Sequence, residues 1–200
     1  MIPSSADVDV KRLVTYINFI RYDEPRIPER DLFEPVCRQM ELLRQADLPC
    51  TWLLQFDAMV AGPYAEYLKA NCPASHEIGL WMEINRMHCD AAGIPFHGRE
   101  GLNWDYHSNA SLTVGYTQDE RIKLADTAVR QFEKTFGRRP RSVAAWYIDA
   151  FTLGYLADEH GIEASANCKE QFGTDGYTLW GGPYAGAYYP SRNHALLPAA

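Results

Sequence analysis

Residues 76–86 read HEIGLWMEINR. Ile78, Gly79, Leu80, Trp81 and Met82 form one unbroken apolar run of strand length, and the run ends on a carboxylate, Glu83. An unbroken run, rather than an alternating one, suits a parallel strand covered on both faces. Outward from this segment the chain alternates strand-like and helix-like patterns. Residues 13–20 (LVTYINFI) are rich in β-branched and aromatic residues and predict a first strand. A helix is expected over 31–45, with Asp31 placed to cap it and Leu32, Val36, Met40 and Leu43 along one stripe. Residues 50–56 (CTWLLQF) predict the second strand, 63–70 a short helix, and 77–82 the third strand.

Residues 86–116 carry Gly, His, Asn and Trp without periodicity and read as a long excursion, with a helical turn near 87–92. Thr117 and Glu120 then form a capping-box pair ahead of a strongly amphipathic helix running to 136, stopped by Gly137 and Pro140. Residues 142–148 predict a fourth strand, 151–160 a helix stopped by Gly161, and 162–167 a fifth strand. The remainder reads as loop, with a further strand at 187–189. Strands joined by helices pair in parallel through right-handed crossovers, so an α/β barrel and an open doubly wound sheet both fit. Neither G-x-G-x-x-G nor G-x-x-x-x-G-K-[ST] follows the first strand, which removes the main support for a nucleotide fold.

The bulk numbers set limits. Two hundred residues, 46% hydrophobic and 22% charged, describe one ordinary folded domain spanning 1–200. A net charge of −7 argues against a nucleic-acid partner, which needs clustered cations. The tight group Arg138, Arg139 and Arg141 around Pro140 reads as a solvated loop. Five cysteines with no C-x-x-C spacing disfavour both a disulfide scaffold and a zinc ribbon. No basic-then-apolar leader and no run of membrane-spanning length is visible, so a cytoplasmic protein without a membrane partner is the default expectation.

Each expected strand is followed at once by an acidic residue: Asp23 and Glu24, Asp57, Glu83, Asp149, and Glu170. The carboxyl ends of parallel strands carry the active site in barrels and open sheets, and carboxylates converging there suit acid–base work or metal binding. Asp149 also precedes FTLGYL and equally suits a helix N-cap. Among the histidines, His76 starts the third strand; at ~3.3 Å per residue it lies about 20 Å from the carboxyl end. His88, His97 and His107 lie in the excursion, within reach of the mouth. No H-x-x-x-H or H-E-x-x-H is present, so ligand spacing does not support a divalent metal, and G-x-S-x-G is absent too.

The segments INFIRYDEPR, LPCTWLLQFDA, EIGLWMEI, SVAAWYIDA, GTDGYTLWGG and YYPSRN occur in an order that resembles the polysaccharide deacetylase superfamily, closest to an uncharacterised bacterial group within it. The resemblance implies a distorted β/α barrel of about seven strands, of which five or six are read here, and a carbohydrate substrate or ligand. Deacetylases of this family carry an Asp-Asp pair after the first strand, as base and metal ligand. YDEP offers Asp23 and Glu24 at that place. Their two metal histidines, four residues apart after the third strand, fall here on Trp81 and Asn85. The arginine motif after the fourth strand becomes WYIDA, with Asp149.

No cofactor is therefore expected. The first expectation is a carbohydrate-active hydrolase using Glu83 with Asp23 or Glu24, supported by Asp149 and Asp57. Trp81, Trp146, Trp180, Tyr177 and Asp175 are the expected sugar contacts. The alternatives are a non-catalytic carbohydrate-binding barrel, and a deacetylase whose metal site is rebuilt from Asp23, Glu24 and a histidine such as His107. A full barrel takes about 250 residues, so the closing strands are expected in a longer chain.

Overall fold

The computed structural model describes residues 16–167, 170–174, 177–180 and 187–200, with only the backbone path given for 170–174 and 177–180. Five parallel strands lie in the order β1 (Tyr16–Ile20), β2 (Cys50–Leu54), β3 (Glu77–Trp81), β4 (Ser142–Ala145) and β5 (Ala164–Asn167). The order never reverses. A doubly wound sheet switches direction part-way and covers both faces with helices. Here every crossover steps the same way, and the handedness rule then places the helices on one face. The result is a curled half-barrel, an α/β fold with the strand progression of a distorted β/α barrel.

Two separate apolar clusters record this one-sided arrangement. Trp52, Leu54, Ile78, Leu80, Val143 and Ala145 point outward into the large core beneath the helices. Their neighbours Leu53, Trp81 and Ala144 point the other way and pack with Trp146 and Ala166 on the inner face. The strand period of two makes this sorting automatic, because alternate residues face opposite sides.

The helices are α1 (Phe33–Gln45), α2 (Phe56–Val60), α3 (Tyr64–Asn71), α4 (Arg86–Ala92), α5 (Ser108–Ser111), α6 (Gln118–Phe136) and α7 (Ala150–His160). In α1, Asp31 Oδ1 accepts the Phe33 amide at 2.8 Å, the expected cap, and Val36, Met40 and Leu43 are buried. The Thr117–Glu120 capping box forms with both of its hydrogen bonds, and α6 ends on Gly137 at φ 68°. Leu124, Ala128 and Phe132 face inward along α6, which packs against α2, α3, α4 and α7. None of these helices is long and apolar enough to cross a membrane.

Several expected boundaries move. The second strand stops at Leu54, because Gln55 is extended and Phe56 already begins α2. The fourth stops at Ala145, leaving Trp146 in the loop beyond it. The excursion holds α4, α5 and a 3-10 turn at Thr113–Gly115. Residues 170–180, read as loop, contain an antiparallel pair, β6 (Glu170–Thr174) and β7 (Tyr177–Trp180). Residues 187–189 are not a strand; Pro190 makes one isolated bridge with Pro198.

Gly79 leaves room for Ser142 at the start of β4. A Cβ there would stand 2.3 Å from Ser142 Oγ and 2.6 Å from the Ser142 carbonyl oxygen. Gly79→Ala should therefore lower unfolding stability by about 1–3 kcal/mol, the usual cost of overpacking. Adding Ser142→Ala should recover only part of the loss in urea titrations, because the backbone carbonyl remains in the way.

Candidate functional site at the carboxyl ends of the strands

Continuing each strand by two residues on its inner face brings Arg21, Gln55 and Glu83 to the same rim. Glu83 is fully buried. Its Oε2 accepts from Arg21 at 3.1 Å and from the Trp81 indole N–H at 3.0 Å, and its backbone carbonyl accepts from Gln55 at 3.0 Å. The second Arg21 nitrogen donates to Glu24 at 3.0 Å, so one guanidinium bridges the ends of β1 and β3. Its planar face lies 4.2 Å from the Trp104 ring centroid. Glu24 also accepts from Arg26 Nε at 2.7 Å.

Trp81 is held on both sides, with Phe19 stacked at 4.6 Å and Trp146 edge-on at 5.1 Å. Phe19 remains 37% exposed, and the Arg21 guanidinium lies over its ring at 5.2 Å from the centroid. A groove of about 620 Å³ runs beside it along β1 and α1, reaching Arg21, Glu24 and Arg26 at the strand ends. A second groove, of about 370 Å³, lies between α7, β5 and Tyr189–Arg192, away from the carboxylates. The groove beside the strand ends is the candidate site.

The carboxylates titrate differently. Burial pushes Asp57 up to about 6, against the Tyr22 and Ala58 amides that its Oδ1 accepts; Asn103 donates to Oδ2 at 3.1 Å. Burial and the neighbouring charge of Glu24 raise Asp23, which is half-buried. Burial also works against ionisation of Glu24, but the Arg26 hydrogen bonds and the Arg21 charge prevail and lower it. Asp149 is the N-cap of α7, accepting from the Thr152 amide at 3.1 Å and from Arg121 at 3.1 Å. Burial is its largest influence and would raise it, yet these partners hold it below the usual range.

The expected site residues thus separate. Glu83 and Glu24 meet through Arg21, Asp23 lies beside Glu24, and Asp57 is tied to the Tyr22 amide. Asp149 belongs to a different knot with Arg121 and Thr152. Asp175 lies outside the described residues, as do the side chains of Tyr177 and Trp180. One histidine expectation changes. His88 is buried in α4, stacked on Phe56 at 4.7 Å and bonded to the Leu124 carbonyl, so it cannot reach the mouth. His97 stacks on Tyr116 at 4.4 Å, and His107 is exposed at the start of α5. His76 accepts from the Trp52 indole at 3.0 Å at the amino end of β3, as expected of the inert end.

Four residues that sequence reasoning passed over complete the site: Arg21, Gln55, Asn103 and Trp104. Asn103 links the excursion to two places at once, accepting from the Met87 amide and donating to Asp57. Arg21 alone carried a visible signal, as a cation at the end of an apolar strand two residues before an acidic pair.

A divalent cation of the kind the fold implies does not fit these residues. The positions where the resemblance implies histidines hold Trp81, which can only donate, and Asn85, whose carboxamide oxygen caps α4 through the His88 amide at 2.9 Å. Among the described residues no three His, Cys, Asp or Glu side chains are grouped to hold a metal.

No protein-family model matches the chain, and no curated protein matches its sequence. Solved structures do match. One is a candidate glycoside hydrolase/deacetylase from Parabacteroides distasonis (TM-score 0.51, 16% identity, 92% of this chain and 41% of that one). A candidate polysaccharide deacetylase from Mycobacterium smegmatis gives 0.48 and 17%, over 76% and 49% of the two chains. A CE4-family pseudoenzyme from Bacillus anthracis gives 0.44 and 14%, over 76% and 42%. The chain spans less than half the length of each of these structures.

Two outcomes test the site. Arg21→Met removes the cation facing a wholly buried carboxylate and should cost about 3–5 kcal/mol in denaturant unfolding, most of it recovered by adding Glu83→Gln. For Asp57 the folded pKa lies above the unfolded one, so the folded state holds the extra proton between about pH 4 and 6. Its contribution to stability must therefore fall as pH rises through that window. The stability difference between Asp57→Asn and the parent, followed by thermal unfolding across pH 4–7, should shift in favour of the variant as pH increases. The arrangement of these strands and the match to the Parabacteroides distasonis structure give the chain an α/β fold of the distorted β/α-barrel type.

Proposed function

We propose that the chain is a carbohydrate-binding β/α barrel that holds sugar without the metal-dependent chemistry associated with its fold. One observation carries this reading: Glu83, the carboxylate at the centre of the strand ends, is wholly buried and committed to Arg21 and Trp81. A general acid or base must come within hydrogen-bond reach of the reacting group, and Glu83 faces its own protein instead. Asp57 and Asp149 are likewise engaged with amides, Asn103, Thr152 and Arg121.

What supports carbohydrate as the ligand is the groove beside them. It joins the half-exposed Phe19 and Trp146 to amide and guanidinium groups. Apolar ring faces flanked by a few fixed polar groups suit pyranose rings. The fold is an argument by analogy only.

A second reading has its own support. Glu24 is lowered while adjacent Asp23 is raised, and carboxyl groups driven apart in this way can divide the roles of base and acid. A hydrolase would then use Asp23 and Glu24, with Glu83 as scaffold.

Oligosaccharides screened by calorimetry, with products followed by mass spectrometry, decide between the two. Binding without release of acetate or new reducing ends is the expected result, and Phe19→Ala should weaken it by about tenfold. Turnover with a two-ionisation pH–rate profile, abolished by Asp23→Asn, would replace the first reading by the second.

A further inference from the structure

β1 is an outer strand of the sheet, and among the described residues no segment pairs with its free side. The register fixes which backbone groups point there. Ile20 aligns with Leu54 and gives its carbonyl to the Gln55 amide at 2.9 Å, so Tyr16, Asn18 and Ile20 turn their backbone groups towards β2. The N–H and C=O groups of Ile17 and Phe19 therefore point away from the sheet, and no described residue takes them.

The side chains on this edge are bare as well. Tyr16, Ile17 and Phe19 are 41%, 44% and 37% exposed, and residues 16–20 carry no charge. Edge strands are ordinarily blunted by a charge, a proline, a bulge or shortness. β5, at the other end of the sheet, is blunted in this way, with four small or polar residues, ASAN. β1 has none of these devices. The groove beside it is lined by Ile17 and Phe19 from the inner face, by Asn18 and Ile20 from the outer face, and by α1 as a wall. Lining from both faces of one strand means that the groove occupies the place of the next strand.

We infer that a second copy of this chain fills that place, its β1 running antiparallel to the first about a two-fold axis at Asn18. In that register Ile17 opposes Phe19 of the partner subunit, and Tyr16 opposes Ile20 of the partner subunit. The outward groups of Ile17 and Phe19 then meet as hydrogen-bonded pairs on either side of the axis, with Asn18 facing its counterpart in the non-hydrogen-bonded pair between them. A slip of one residue would set these groups against ones already turned towards β2. Both side-chain pairs join an aromatic to a β-branched residue, a favourable cross-strand combination, and no like charges meet. This self-complementarity is what singles out a second copy from other extended partners, and a two-fold contact closes at two subunits. The inference does not depend on the carbohydrate reading but bears on it: the arriving strand covers Phe19, so sugar and second copy compete for one groove.

Sedimentation velocity of the 200-residue chain over about 1–500 μM should show a monomer–dimer equilibrium with Kd on the order of 10–100 μM, the range of a small interface. Added salt should tighten it, because each copy carries −7. Ile17→Pro removes an outward N–H and no bond to β2, so it should abolish the dimer while leaving thermal unfolding of the dilute monomer unchanged. Ile17→Lys blunts the edge by charge and should do the same even where proline disturbs the strand. The register has its own readout. Asn18→Cys should cross-link into a covalent dimer on mild oxidation, since its Cα would stand about 4.5 Å from its counterpart, whereas Tyr16→Cys should not. Both are made with Cys50→Ala, because Asn18 lies 3.3 Å from Cys50 Sγ. A chain that stays monomeric to about 500 μM, a dimer that survives both Ile17 variants, growth beyond dimers, or equal cross-linking through positions 16 and 18 overturns the inference and leaves the carbohydrate reading untouched. An oligosaccharide that dissociates the dimer supports both. One that binds the intact dimer places the sugar outside this groove, against the carbohydrate reading and not against the dimer.

Discussion

One guanidinium organises the carboxyl ends of this sheet. Arg21 leaves β1 and donates to Glu24 in its own loop and to Glu83 at the end of β3, while its face rests on Trp104 from the excursion. Three stretches distant in sequence thus converge on one side chain. Burying an ion pair is costly, and the Coulombic return suffices only with close geometry and further hydrogen bonds. Here the Trp81 indole, the Arg26 side chain and the Trp104 ring supply those additions. The same contacts explain why an aperiodic segment is ordered. The main chain of 99–103 is held by Arg86, its Asn103 side chain by Met87 and Asp57, and its Trp104 ring lies beneath Arg21.

Local pattern was enough to read the scaffold. The capping box at Thr117, the stripe Val36, Met40 and Leu43, and the unbroken run in β3 each express a period or a cap within a few residues. Strand limits were harder, because Gln55 and Phe56 extend the apolar run of CTWLLQF while the backbone turns into α2. Composition could not distinguish a buried strand from the first turn of a buried helix there. The antiparallel pair at 170–180 was missed for a similar reason, since its glycines and aromatics suit a loop as well as a tight hairpin.

The site was less legible than the scaffold. Six acidic residues after five strands are visible in sequence, but what each one faces is not. Arg21 meets Glu83 across 62 residues and Asn103 meets Asp57 across 46, separations over which periodicity carries no information. Asp149 shows the ambiguity most plainly. A strand-end carboxylate and a helix N-cap occupy the same position in the chain, and in this molecule its oxygens go to the amide and hydroxyl of Thr152 and to Arg121.

Trp81 and Glu83 are best understood as a coupled pair. With an indole where the family resemblance implies a metal histidine, the position gains a donor aimed at the carboxylate two residues on, and a ring that fits between Phe19 and Trp146. Glu83 in turn is held in its buried place by Trp81 and Arg21, which both donate to Oε2. Asn85 completes the change by capping α4, a task that needs its carboxamide oxygen and fixes the start of the helix carrying buried His88. Returning histidine to position 81 would therefore do more than offer a ligand. It would take one donor from Glu83 and open the aromatic stack, while Arg21 continued to compete with any metal for the same carboxylate. The departure from the pattern that the resemblance implies is thus carried by a linked set of residues, each of which stabilises the next.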